Sequence, residues 1–194
     1  MVINSDSISL KETRFNSKHE KKTVYYSEKD PIDYQKHALF VRELFPYAKR
    51  VLDVGVGFGQ SSIELQKQGF IVTSMDKTDL GVSKVLEKNN IPFIRDTFNL
   101  STDINSFDLI IGLHCCGAAE LIIRNCIEND INFLITLCEI HQGLNSSSIK
   151  SRRQYIDYLK SISSKIKETT APIYENNPNS AWKETIYYKK PFRK

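Results

Sequence analysis

Asp53-Val54-Gly55-Val56-Gly57-Phe58-Gly59 stands between a short apolar run, Arg50-Val51-Leu52-Asp53-Val54, and a helical stretch from Ser61 to Gln68 that Gly69 closes. Three glycines at alternate positions let a backbone leave a strand sharply and approach a nucleotide-bearing ligand closely. The next apolar run, Phe70 to Met75, ends at Asp76, 21 residues after Gly55. A carboxylate at the tip of a second strand accepts both hydroxyls of a ribose. Strand, turn, helix and acid together predict a cofactor site built from Gly55, Gly57, Gly59 and Asp76.

Working outward, the same alternation continues. A helix is expected from Asp30-Pro31 to about Phe45, with Ala38, Val41, Leu44 and Phe45 on one face and Pro46 as its stop. After Asp76 come a helix over about Gly81–Lys88, a weak strand at Pro92–Arg95, and a nearly pure apolar strand at Phe107–Leu113. A helix over Ala118–Asn129 and a fifth strand at Phe133–Leu137 follow. Strands without polar alternation belong to a sheet covered on both faces. The expected architecture is therefore α/β, a Rossmann-like, doubly wound, mostly parallel sheet. Late in the chain a basic amphipathic helix is predicted from Ser146 to about Lys167. A hairpin should close the domain, made of Ala171–Tyr174 and Thr185–Tyr188 around the turn-forming run Glu175–Ser180. Residues 1–30, polar and without a sustained period, are expected to be a flexible arm, and 31–194 one domain.

The glycine spacing separates two cofactor classes. A nicotinamide-binding turn reads G-x-G-x-x-G/A, whereas here Gly59 takes the fifth place and Gln60 the sixth, and the early acid Asp53 is foreign to that pattern. The acid followed by G-x-G-x-G resembles motif I of the class I S-adenosylmethionine-dependent methyltransferases. The resemblance covers about residues 33–190. It implies a seven-stranded sheet whose C-terminal hairpin inserts an antiparallel strand, and S-adenosylmethionine as cofactor. Asp53 and the glycines would lie against the methionine and ribose, Asp76 on the ribose hydroxyls, and Asp96 with Thr97 near the adenine amine.

Gly112-Leu113-His114-Cys115-Cys116-Gly117-Ala118-Ala119-Glu120 follows the fourth strand. It resembles the L-H-x-C-G-x-A segment of a methyltransferase subfamily that includes a tRNA 2′-O-methyltransferase, with departures at Cys115 and at Glu139 after Cys138. At a strand's carboxyl end, His114 faces the ligand crevice. Its intrinsic pKa suits a base for a hydroxyl acceptor, and capping the strand is the competing role. Glu139 and His141, past the fifth strand, are candidate acceptor contacts, with Glu139 a second catalytic candidate. No metal is expected: adjacent Cys115 and Cys116 cannot both turn to one tetrahedral ion, and no C-x-x-C spacing exists.

The hydrophobic (40%) and charged (26%) shares are those of a globular chain, and no apolar run reaches the roughly 20 residues that span a bilayer. With no signal-peptide layout and four clustered cysteines without a disulfide framework, a cytoplasmic location is the expectation, and no membrane. Residues 51–144 hold 6 Lys/Arg against 12 Asp/Glu, and residues 145–194 hold 11 against 4. That basic flank, with Lys150, Arg152 and Arg153, slightly favours a nucleic acid (RNA) acceptor over a small molecule. A cofactor-binding, non-catalytic partner subunit is the third reading, and nothing in the sequence sets the oligomeric state.

Overall fold

The computed structural model describes residues 32–115, 117–137, 149–172 and 184–191, with the backbone of two further strands at 12–15 and 21–24. The chain falls into two compact units, Met1–Ile32 and Asp33–Lys194. In the first, β1 (Glu12–Phe15) pairs antiparallel with β2 (Lys21–Val24), a pairing that the polar, unpatterned sequence does not announce.

The second unit runs α1 (Tyr34–Leu44), β3 (Arg50–Val54), α2 (Gln60–Lys67), β4 (Ile71–Asp76), α3 (Val82–Lys88) and β5 (Phe93–Arg95). It continues through β6 (Leu109–Leu113), α4 (Ala119–Glu128), β7 (Asn132–Thr136), α5 (Arg152–Ser161), β8 (Lys167–Thr170) and β9 (Glu184–Tyr188). Seven strands form one sheet in the order β5-β4-β3-β6-β7-β9-β8, all parallel except β9, which is antiparallel to both neighbours. This is the expected doubly wound, mostly parallel sheet with its antiparallel C-terminal pair. Strand order reverses between β3 and β6, so a crevice opens above their carboxyl ends, where ligands bind in such sheets.

Successive strand residues point to opposite faces, and each face has its own core. Val51, Leu109, Ile111 and Leu134 pack with Ala38 and Val41 of α1, Leu65 of α2 and Leu86 of α3. Leu52, Ile110, Phe133 and Ile135 pack with Ile122 and Ile123 of α4 and Ile156 and Leu159 of α5. All of these are buried, each contributing roughly 1.5–3 kcal/mol. Arg42, in the last turn of α1, donates from Nε and Nη2 to Gln68 O at the end of α2 (3.0 and 2.8 Å) and stacks over Phe70. The two helices thus run parallel, with their first turns together at the crevice end of the sheet.

Several boundaries differ from the sequence expectation for local reasons. α1 starts at Tyr34 rather than at Pro31, because the Asp33 carboxylate caps it by accepting the Lys36 N–H at 2.9 Å. β6 starts at Leu109, since Asp108 turns its side chain to the amides of Lys49 and Arg50. The late helix is shorter than predicted: Ser151 caps α5, and Ser161 bends its hydroxyl to Tyr158 O where the helix stops. Lys167–Thr170, which begins where that helix was expected to end, is strand β8 and pairs with β9; of the expected hairpin arm Ala171–Tyr174, Ile173 and Tyr174 lie outside the described residues. The intervening run Glu175–Ser180 lies outside the described residues.

Candidate functional site

The floor of the crevice is the turn between β3 and α2. Gly55, Gly57 and Gly59 all have positive φ (75°, 54° and 81°), the left-handed region that side chains avoid. At Gly55 space forbids a side chain as well, since a Cβ would lie 3.1 Å from Cys115 Cβ and 3.2 Å from its Cα. Above Gly57 a Cβ would meet none of the described residues within 4 Å, so this stretch of backbone is open on that side among them. Gly55→Ala is expected to destabilise the protein by about 2 kcal/mol through strain and crowding together, readable as a drop in denaturation midpoint.

Asp53 is the penultimate residue of β3 and is buried. Its carboxylate accepts from Ser62 Oγ at 2.7 Å, and Ser62 in turn accepts from Ser74 Oγ at 2.7 Å, a buried ladder from β3 through α2 to β4. Burial raises the Asp53 pKa to about 6; the hydroxyls of Ser62 and Ser61 pull it down, and the negative charge of Asp76 adds to the rise. Asp76 is tied to the turn directly. Its Oδ2 accepts the Gly57 N–H at 3.1 Å, and its Oδ1 takes both the N–H and the hydroxyl of Thr78 at 2.9 Å. Each carboxylate oxygen accepts about two such bonds, so Oδ2 keeps one lone pair for a ligand. Asp96 follows β5, hydrogen-bonded through its N–H to Asp76 O at 3.1 Å, and its own carboxylate accepts the Thr97 N–H at 2.7 Å; both side chains are exposed at the rim.

His114 sits at the carboxyl end of β6, half-buried, with φ at 56°, and its N–H donates to Thr136 O at 2.9 Å. A histidine in the left-handed region is uncommon, and such residues cluster at functional sites. The turn it makes folds Cys115 back under Gly55. Cys115 is buried and its thiol is pushed up to about 12, chiefly by burial, so it is a packing group and not a nucleophile.

No known protein family and no curated protein sequence matches the chain. Solved structures do. The 1,6-didemethyltoxoflavin-N1-methyltransferase of Burkholderia thailandensis, crystallised with 1,6-didemethyltoxoflavin and S-adenosylhomocysteine, aligns at TM-score 0.55 and 12% identity over 84% of this chain and 78% of that one. The glycopeptide N-methyltransferase MtfA aligns at TM-score 0.55 and 11% identity, over 82% of this chain and 91% of its own. The fold is that of the class I methyltransferases. A further match, the CcbJ methyltransferase of Streptomyces caelestis, has TM-score 0.44 at 22% identity over 55% of this chain; the chain spans about half (49%) of its length.

In this class I methyltransferase fold, Asp53, Gly55, Gly57, Gly59 and Asp76 gather around one turn: Gly57 is bonded to Asp76 directly, Asp53 reaches β4 through Ser62 and Ser74, and Asp96 is bonded to Asp76 through the backbone. Glu139, His141, Cys116 and Cys138 lie outside the described residues. Among the described residues, no group of three or more His, Cys, Asp or Glu is placed to hold a metal ion, and no helix is long and apolar enough to cross a membrane. The sequence reading missed the serines that hold Asp53. Ser74 gave a signal, a hydroxyl in the otherwise buried heart of Ile71–Asp76. His37 was missed too. It lies in the first turns of α1, fully buried, with no hydrogen-bond partner on either ring nitrogen among the described residues, and burial lowers its pKa to about 4.

Proposed function

We propose that the protein is an S-adenosylmethionine-dependent methyltransferase acting on a small-molecule acceptor. The observation that carries the donor assignment is the unit of Asp53, the three positive-φ glycines and Asp76, with open space above Gly57 among the described residues. Its chemistry fits the donor. Asp76 Oδ2 has a lone pair for a ribose hydroxyl, bare backbone at Gly57 admits close approach, and buried acidity at Asp53 suits a cationic amino-acid end. Bound there, S-adenosylmethionine would supply a methyl group already activated on a sulfonium. The residues would then orient donor and acceptor and exclude water, which is most of what such a transfer needs. His114 fits the role of holding or accepting a proton from a hydroxyl acceptor, and Asp96 and Thr97 fit the adenine end at the rim. Glu139 is kept as a proposed acceptor contact.

The basic flank supports a small acceptor better than RNA. Arg153 is bound to Glu168 and Asp157, and Arg152 to Glu184 and to Leu137 O, so both guanidinium groups are committed within the domain. Two structures with this fold are named for methylation of a small heteroaromatic compound and of a glycopeptide. Titrating the protein with S-adenosylhomocysteine by calorimetry, beside NADH, tests the donor. Micromolar affinity for the first alone is expected; no heat from a folded sample would overturn the assignment.

A further inference from the structure

β3 and β6 are neighbouring parallel strands in the register Val51–Leu109, Leu52–Ile110 and Asp53–Ile111, and Gly55 and Gly112 both lie one or two residues further on, at their carboxyl ends. A side chain would be crowded at both, and Cys115 is the first residue it would meet at each. A Cβ on Gly112 would stand 2.3 Å from Cys115 Sγ, and a Cβ on Gly55 would stand 3.1 Å from Cys115 Cβ. Gly112 is not one of the positive-φ residues, so its backbone suits an ordinary side chain; what crowds one is first the Cys115 thiol, and behind it Ile135 Cδ1 at 3.0 Å and Cys115 Cβ at 3.2 Å. Cys115 reaches this notch because His114, with φ at 56°, turns the chain back on itself. The turn is held at both ends, by His114 N–H on Thr136 O and by Cys115 O accepting the Ala118 N–H that leads into α4.

We propose that Cys115 is a positioning residue, a spacer whose side chain sets the separation between the glycine turn under the donor and His114 above it. This rests on the donor reading given above. Its geometry makes a sharp demand. The side chain at 115 must end at the γ atom to fill the Gly112 notch, and must not branch, since its Cβ is already against Gly55. Enlarging either wall of the notch pushes the turn off Gly55 and displaces the donor loop. Removing the sulfur while adding a methyl on Gly112 refills the same space from the opposite side.

The test compares Gly112→Ala, Cys115→Val and the double variant Gly112→Ala/Cys115→Ala with the wild type. S-adenosylhomocysteine affinity is measured by calorimetry well below each melting temperature, and stability by thermal unfolding. Both single variants are expected to bind at least tenfold more weakly and to melt about 5 °C lower, the ordinary result of overpacking. The double variant is expected to bind within about threefold of the wild type, because the coupling of two contacting sites shows as non-additivity. Addition of the ligand should also shift the His114 imidazole resonance in the wild type and the double variant, but not in Gly112→Ala. Equal affinity in all four proteins would reduce Cys115 to core filler and overturn the proposal. So would a double variant as weak as Gly112→Ala. A wild type that does not bind fails the donor reading itself, a result distinct from either. Should Gly112→Ala not fold, Cys115→Val and the double variant decide.

Discussion

Asp76→Ala is expected to weaken S-adenosylhomocysteine binding about a hundredfold. Its carboxylate offers two charge-assisted hydrogen bonds to a ribose, each worth about 1.5–3 kcal/mol, and about 3 kcal/mol in total corresponds to two decades of affinity. One comes from the open lone pair on Oδ2; the other requires the ribose to displace the Thr78 hydroxyl from Oδ1. Asp76→Asn separates recognition from loop support. Its amide oxygen still accepts the Gly57 N–H, while the charge and one acceptor are lost, so about a tenfold weakening is expected. Calorimetry on both variants, with near-wild-type melting for Asp76→Asn, checks this. An unchanged affinity in Asp76→Ala would remove the acid from the site.

Asp53 and His37 make opposite contributions to stability as pH changes. The Asp53 pKa rises on folding from 3.8 to about 6, so the native state binds more protons between those values, and stability is lost as pH rises through about 6. The His37 pKa falls on folding from 6.5 to about 4, so the unfolded state binds more protons there, and stability is lost as pH falls below 6.5 toward 4. Each shift corresponds to about 3 kcal/mol, and across pH 4–6 the two slopes offset one another. Removing one exposes the other. Asp53→Asn should be more stable than the wild type by about 3 kcal/mol at pH 7 and about equal to it near pH 3.5. His37→Leu should show its largest gain near pH 4. Urea unfolding across pH 3.5–7.5 reads both, and a pH-independent difference for either variant would reject its assigned titration. Asp53→Asn should also lose donor affinity, so neutral-pH stability is given up at this position for binding.

The parts of the fold legible in the sequence were those with a strong local signature. β6 is an unbroken apolar run, β3 and β7 are mostly apolar, and the glycine turn with Asp76 stands out by spacing alone. β8 is Lys-Glu-Thr-Thr, without an apolar face, and becomes a strand only because β9 pairs with it. Propensity cannot foresee a strand whose reason is its neighbour. Asp53, Asp76 and the glycines were readable as candidate site residues because they gather at one turn. The Ser62–Ser74 ladder, buried His37 and the double contact of Cys115 join residues from different strands and helices. No period in one segment carries such information.

The position of β9 bears on how this sheet is assembled. β7 and β8 do not touch; each pairs with β9, which is made after both and slides between them with Thr136 and Thr185 hydroxyls meeting at 3.0 Å. Until residues 184–188 have been added, β7 keeps an open edge on the side away from β6, and β8 lacks its partner among the described strands. Completion of the sheet is therefore a late step of long sequence separation, the kind that folds slowly and leaves sticky edges exposed meanwhile.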